Sequence, residues 1–205
     1  MTFQKIMLVK LVWMRYYQWQ QGDIPFGDIK YLKEMNTIDG VADISENLNF
    51  LDCGGSVFGY FQTKGKSPRI EKIEGETRNK NCESVDNVLV IFCAPNPERK
   101  GKGETTIIGW YKKATVYRDE QYNENFDLYY NIRAELKNCV LLPESERKDN
   151  QIWWLKQTPG SEINFGQSMY KFPSNTTPEL QDILQEIANY DGENWCGEFS
   201  LNEVN

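Results

Sequence analysis

Apolar and polar positions in this chain alternate in short bursts, the period of strands, far more often than they recur at helical spacing. Residues 5–13 run Lys-Ile-Met-Leu-Val-Lys-Leu-Val-Trp. The run is too short for a signal sequence or a membrane span and predicts a strand. Residues 55–62 predict a second strand with a glycine break, and residues 87–94, nearly all apolar, a central strand buried on both faces. Residues 105–118 predict a strand, a tight corner and another strand; Gly109 interrupts the β-branched run, as a glycine does at a bulge or a close backbone approach. Further strands are expected within residues 127–138 and 140–142 and again at residues 152–154, with a charged turn at residues 144–150 between them. Trp153 and Trp154, adjacent on a strand, should face opposite ways, one to the core and the other outward or to a site.

One segment has helical spacing. Leu180, Ile183, Leu184 and Ile187 fall at i, i+3, i+4 and i+7, which predicts a helix over residues 178–190 with one face on the body. Thr177 suits the N-cap, Pro178 the first helical position, Glu179 the N-terminal dipole, and Gly192 a stop. Residues 20–49 are polar and rich in turn formers, a long connection with a short helix expected around residues 29–35. Together these elements predict an α+β fold, mostly strands with a few peripheral helices.

At 205 residues the chain is long enough for one domain, with or without an appendage. The absence of any histidine excludes a Ser-His-Asp triad, a Cys-His nucleophile, an HNH-type nuclease centre and all His-ligated metals. The five cysteines include no Cys-x-x-Cys, so no metal or cofactor is expected and reduced thiols in a cytoplasmic protein are the expectation. Net charge is −7, unfavourable for a nucleic-acid binder, but the deficit is local. Residues 1–100 carry 13 cations and 13 anions, residues 101–172 carry 10 of each, and residues 173–205 carry 7 anions and no cation. The body can therefore still present a basic face, and residues 173–205 read as a separate unit of helix and acidic tail.

Chemistry concentrates between Trp110 and Arg118, where three aromatics and three cations lie within nine residues. Such a set can stack a planar ring and hold a phosphate, or can be core aromatics beside a solvated Lys-Lys turn. The turn at residues 96–103 adds Arg99, Lys100 and Lys102. If it meets Lys112, Lys113 and Arg118 in space, the two form a dense basic surface for phosphate. The Gly101-x-Gly103 in it is no nucleotide fingerprint, because no helix follows. Residues 64–80 mix cations with Glu71, Glu74 and Glu76 and read as a solvated loop and short strand able to touch phosphate.

The 105–118 stretch resembles a segment of the EVE-like domains of the PUA/EVE/YTH superfamily, found at the front of modification-dependent restriction proteins. Three more segments fit the same pattern in order: Leu11-Val12-Trp13-Met14-Arg15-Tyr16-Tyr17, the run from Cys139 to Arg147, and Phe165-Gly166-Gln167-Ser168-Met169-Tyr170. Met169 stands where the family motif is expected to have a small polar residue. The resemblance spans roughly residues 7–172. It implies a curved, mixed β-barrel, a modified-base-binding domain over residues 1–172, and a modified base flipped out of DNA. Carried onto these residues, Trp13, Trp110, Tyr111 and Tyr117 would wall the base and Gln167 and Ser168 would read its edge. Arg99, Lys100, Lys112, Lys113 and Arg118 would meet phosphate.

The expected function is therefore non-catalytic recognition of a modified base, 5-methyl- or 5-hydroxymethylcytosine first, by a specificity module that works with an effector nuclease and not at a membrane. Three alternatives stay open. A YTH-like reader of methylated RNA would use the same aromatic cage. A nuclease would need Glu135-x-Lys137, a pair that arises often by chance. A protein-interaction module or DNA mimic would use the acidic tail.

Overall fold

The computed structural model describes residues 3–21, 23–26, 37–38, 41–42, 44–63, 65–74, 81–99, 104–174 and 176–200. The short helix expected around residues 29–35 falls outside them, as do Lys100 and Lys102. The strands are β1 (Ile6–Lys10), β2 (Thr37–Ile38), β3 (Val41–Ala42), β4 (Ser56–Gly59), β5 (Ser84–Ala94), β6 (Glu104–Asn123), β7 (Leu128–Glu135), β8 (Cys139–Leu141), β9 (Trp154–Lys156) and β10 (Tyr170–Lys171). The α-helices are α1 (Glu144–Asp149) and α2 (Pro178–Asn189), and no helix among the described residues is long and apolar enough to cross a membrane. The fold is thus mostly β with few helices. β2 and β3 pair only with each other.

The main sheet has eight strands in the order β10-β1-β5-β6-β7-β4, with β8 and β9 also on β6. β1 and β5 run parallel and the other pairs antiparallel, so the sheet is mixed. It does not close into the expected barrel: the terminal strands β10 and β4 are not paired with each other. At its centre β6, with 20 residues, outruns any one neighbour: one edge takes β5 while the other takes β9, β8 and β7 in succession.

Three register shifts shape the β5–β6 ladder. Phe92 pairs with Gly109 but Cys93 with Ile107, so Ile108 is an extra residue. Val90 then pairs with Tyr111 and Val88 with Ala114, leaving Lys112 and Lys113 opposite Leu89 alone. Lys113 absorbs the extra residue in the left-handed region, at φ 55°. The Lys-Lys pair is therefore a bulge inside one continuous strand and not the expected corner. Asp86 and Asn87 form a compensating bulge on β5, with Asn87 at φ 60° and the Thr115 hydroxyl donating to Asp86 Oδ1 at 2.6 Å.

Both faces of the sheet are buried. Met7, Val9, Val90, Phe92 and Tyr111 pack with Phe50 and Phe61 on one face. Ile6, Leu8, Leu89, Ile91 and Trp110 pack with Trp153, Phe165 and the Leu180, Ile183 and Ile187 face of α2 on the other. Residues 152–154 divide as expected: Trp153 is core and Trp154 only half-buried, although the strand begins at Trp154 after a 3-10 turn. α2 starts where expected, at Pro178, but the Thr177 hydroxyl does not cap it and instead donates to Glu162 Oε2 at 2.7 Å. Beyond α2, the Trp195 amide donates to Leu141 O at 2.9 Å and the Gly197 amide to Phe50 O at 3.1 Å. Trp195 and Cys196 pack on the first core, so up to Ser200 the C-terminal part belongs to the body rather than hanging from it.

Candidate functional site

The aromatic residues expected to wall a base are not gathered at one place. Trp110 and Tyr111 have no exposed surface and lie on opposite faces of the sheet, in different cores. Trp110 packs against Trp153 and Tyr190, and Tyr111 against Phe50 and Phe92. Trp13 is buried under the Arg147 guanidinium, whose carbon is 5.3 Å from the ring centroid. Tyr117 is half-buried edge-on to Tyr130. Gln167 is exposed and Ser168 half-buried, both in the turn before β10. As the structure stands, the four rings cannot form one cage, because β6 distributes its aromatics between two cores.

The expected basic surface also divides. Arg99 pairs with Glu104 at 2.7 Å and stacks 3.9 Å over the Trp154 ring. Arg118 sits at the opposite end of the β5–β6 ladder, its amide donating to Glu83 O at 2.8 Å. Lys112 is half-buried, which lowers its pKa, and Lys113 is exposed at the bulge. Lys100 lies outside the described residues. Glu135 is exposed and ion-paired with Lys137 at 2.8 Å, and the hydrogen bond from that lysine holds its pKa low. Among the described residues no cluster of three His, Cys, Asp or Glu is placed to hold a metal.

A different set of residues converges beside the outer strand β10. A groove of about 360 Å³ is lined by Arg69, Lys72, Glu162, Tyr170, Lys171 and Phe172. The sequence builds it in layers. Asn131, buried on β7, accepts from the Phe61 amide at 3.3 Å and donates to the Phe61 carbonyl at 3.0 Å. This side-chain clamp replaces strand pairing beyond β4 and sets Phe61 in the core. Tyr170 then packs edge-on to Phe61 at 5.5 Å, and Phe172 lies 5.3 Å from Tyr170 with the rings 43° apart. Ser168 fixes the approach to β10: its hydroxyl donates to Tyr170 O at 2.5 Å and accepts from the Tyr170 amide at 3.3 Å.

The other wall is the 3-10 turn Ile70–Glu74, anchored by buried Ile70 and Ile73. Its outward side presents Arg69 and Lys72. Arg118 braces this wall from behind. Its Nε donates to Cys82 O at 2.8 Å, one Nη to Pro68 O at 3.4 Å and the other to Glu71 Oε2 at 2.9 Å. Burial works against the Glu71 carboxylate, but hydrogen bonds from its own backbone, Arg118 and Arg69 outweigh it and hold the pKa below the usual range. Arg118 is thus engaged in positioning the wall and is not presented to a ligand. Glu162, the one anion of the groove, is held low by the Thr177 hydroxyl and the Ser174 amide. Among the described lining residues three cations stand against one anion, which favours a positive potential in the groove.

The Trp13 segment serves another purpose. Arg147, with no exposed surface, donates to Met14 O at 2.9 Å and Arg15 O at 2.6 Å. Asp23 accepts the amides of Arg15, Tyr16 and Tyr17 at 2.7, 3.1 and 2.6 Å. Together they hold the loop in which Tyr17 and Trp19 take left-handed backbone angles of 52° and 58°. This is a satisfied buried network, and the ring of Trp13 is part of its packing.

Arg69, Lys72, Glu162, Lys171 and Phe172 are the groove residues that motif reading does not single out. The alternating charges of residues 64–80 masked the first two: Glu71 is shared by Arg118 and Arg69, while Arg69 and Lys72 stay exposed. Tyr170 closes the segment quoted for the resemblance, and its position on an edge strand beside a basic turn needs the fold to be seen. No protein-family model, curated protein or solved structure matches this chain.

Proposed function

We propose that this chain is a non-catalytic reader of a modified nucleobase, seated in the groove between Tyr170 and the Arg69–Lys72 wall. The observation that carries the reading is the convergence of two aromatic rings and three cations on one groove at a sheet edge. Stacking on an aromatic returns roughly 1–3 kcal/mol per base, comparable with the few kcal/mol that unstacking a base from a duplex costs. Arg69, Lys72 and Lys171 supply the phosphate contacts that make up the difference. Ser168, which orients Tyr170, and Gln167 beside it are the edge-reading residues of this proposal.

The modified base, DNA as its carrier and an effector nuclease as partner rest on the resemblance of four ordered segments to EVE-like domains. Membership of the PUA/EVE/YTH superfamily and a cytoplasmic setting belong to the same proposal, the latter supported by five free cysteines.

The test is anisotropy binding, at one moderate salt concentration, to matched duplexes. These carry cytosine, 5-methylcytosine, 5-hydroxymethylcytosine, adenine or N6-methyladenine, with methylated and plain single-stranded RNA alongside. Tighter binding to one modified duplex, lost in Tyr170→Ala and Lys171→Glu, is the expected result. Preference for methylated RNA would move the reading to the YTH-like branch. Equal weak binding to all, unaffected by both variants, would overturn it. Trp110→Ala is a poor control because that ring is core.

A further inference from the structure

Cys139 and Cys196 come from distant parts of the chain and meet at the edge of the first core. Cys139 opens β8 and is buried, whereas Cys196 is half-buried in the stretch that follows α2. Asn194 ties the two backbones together. Its Nδ2 donates to Cys139 O at 3.0 Å, and its Oδ1 accepts the amides of Cys196 at 2.9 Å and Leu141 at 3.0 Å. Phe50 O fixes the other side, 3.1 Å from the Gly197 amide and 3.8 Å from Cys196 Sγ. Cys196 packs against the core that contains Cys139, whose Sγ donates to Glu135 O at 3.3 Å, and Cys196 adds to the rise in the Cys139 pKa.

We propose that Cys139 and Cys196 are a reversible thiol-disulfide pair that a peroxide oxidises, fastening residues 194–200 to β8. The Cys196 sulfur, the more accessible of the two, attacks a peroxide oxygen as thiolate. The O–O bond breaks, giving a sulfenic acid and, after protonation, water. The Cys139 sulfur then attacks the Cys196 sulfur, the S–O bond breaks, and a second water leaves. Two thiols give up two electrons and two protons, and hydrogen peroxide becomes two waters. A dithiol reductant reverses the step. Burial raises the Cys139 pKa well above the ordinary thiol value, so this sulfur must lose its proton as it attacks and the second step is the slower one.

The fastened stretch is a strap over the loop that holds Tyr16, Tyr17 and Gln18. Trp195 lies 5.6 Å from the Tyr16 ring and Phe199 lies 5.8 Å from it. Gln18 binds both ends of the strap, donating to Trp195 O at 2.8 Å and accepting the Phe199 amide at 3.3 Å. Oxidation therefore locks a cover that in the reduced chain is held by hydrogen bonds and ring contacts.

The test uses the full reduced chain treated with excess hydrogen peroxide, then denatured, alkylated and weighed. Three alkylations in place of five, a cross-linked peptide joining the two segments, and recovery of five after dithiothreitol are expected. Hydrogen exchange at the Trp195 and Gly197 amides should slow about tenfold or more in the oxidised chain. Cys196→Ser, at a half-buried site that tolerates the change, should keep four free thiols and unchanged exchange under the same treatment. Five alkylations after peroxide, or a disulfide that joins Cys53, Cys82 or Cys93, would overturn the assignment.

Discussion

Trp110 and Tyr111 are consecutive residues that face opposite cores, each stripped of solvent. Strand alternation makes that division, and the extra residue at Ile108 decides which ring goes where. Without the bulge, Trp110 would turn toward Phe50 and Tyr111 toward α2, and neither core has the shape for the exchanged ring.

Gly109 is what permits this arrangement. A β-carbon there would lie 2.3 Å from Val140 O and 2.9 Å from the Phe50 ring. A backbone carbonyl in a ladder cannot step aside as a side chain can. Gly109→Ala should therefore destabilise the chain by about 3 kcal/mol, the upper end for overpacking, read as a lower urea midpoint at unchanged slope.

The Tyr111 hydroxyl is buried and has no hydrogen-bond partner. An unsatisfied polar group of this kind costs roughly 1–3 kcal/mol, and removing it keeps the ring that fills the core. Tyr111→Phe should leave stability unchanged or raise it by about 1 kcal/mol. A loss of more than that in urea titration would mean that the hydroxyl has a role the geometry does not account for.

Arg118 separates two readings of the same cation. If it met phosphate, lysine would retain most of the binding and the salt dependence. As a brace it needs the guanidinium fork, because it reaches Cys82 O, Pro68 O and Glu71 at once. Arg118→Lys should weaken nucleic-acid binding about as much as Arg118→Ala, with the slope of log K against log salt preserved. Lys171→Glu, by contrast, should flatten that slope by about one phosphate contact.

Glu46 gives the chain a pH dependence of definite sign. Its carboxylate is buried with the Val12 amide donating to it at 3.0 Å, and burial pushes its pKa from 4.5 up to about 7. Between those values the folded chain retains a proton that the unfolded chain has released, so its contribution is complete below pH 4.5 and is lost as pH rises toward 7. The difference in stability between the wild type and Glu46→Gln should therefore change by about 3 kcal/mol across that window, in the variant's favour at high pH. A difference independent of pH would contradict this.

The strands that stand on unbroken apolar runs were legible in the sequence. Residues 87–94 carry the buried half of β5, residues 6–10 form β1, and α2 begins at Pro178 as its spacing predicts. Gly109 signals a bulge or a close backbone approach, and it stands beside the extra residue Ile108 with Val140 O against it, but the path of the chain through Lys112 and Lys113 is not legible. Two adjacent lysines look like a turn, and only pairing with Leu89 makes them a bulge. The groove was harder still. Arg69 and Tyr170 are remote in sequence, and what joins them is the Asn131 clamp on Phe61 and the Arg118 brace, contacts that leave no periodic trace. Sequence density of aromatics pointed to β6, where burial rather than binding had concentrated them.

The placement of β1 sets an order on synthesis. It takes β5 along one edge and β10 along the other, with Leu8 opposite Lys171. The earliest-made strand of this sheet therefore waits for residues made much later. The β5–β6–β7 meander can fold as it emerges, whereas β1 must be kept from other strands until the segment around Tyr170 has cleared the exit tunnel. The groove that Tyr170 completes is thereby among the last parts of the molecule to form.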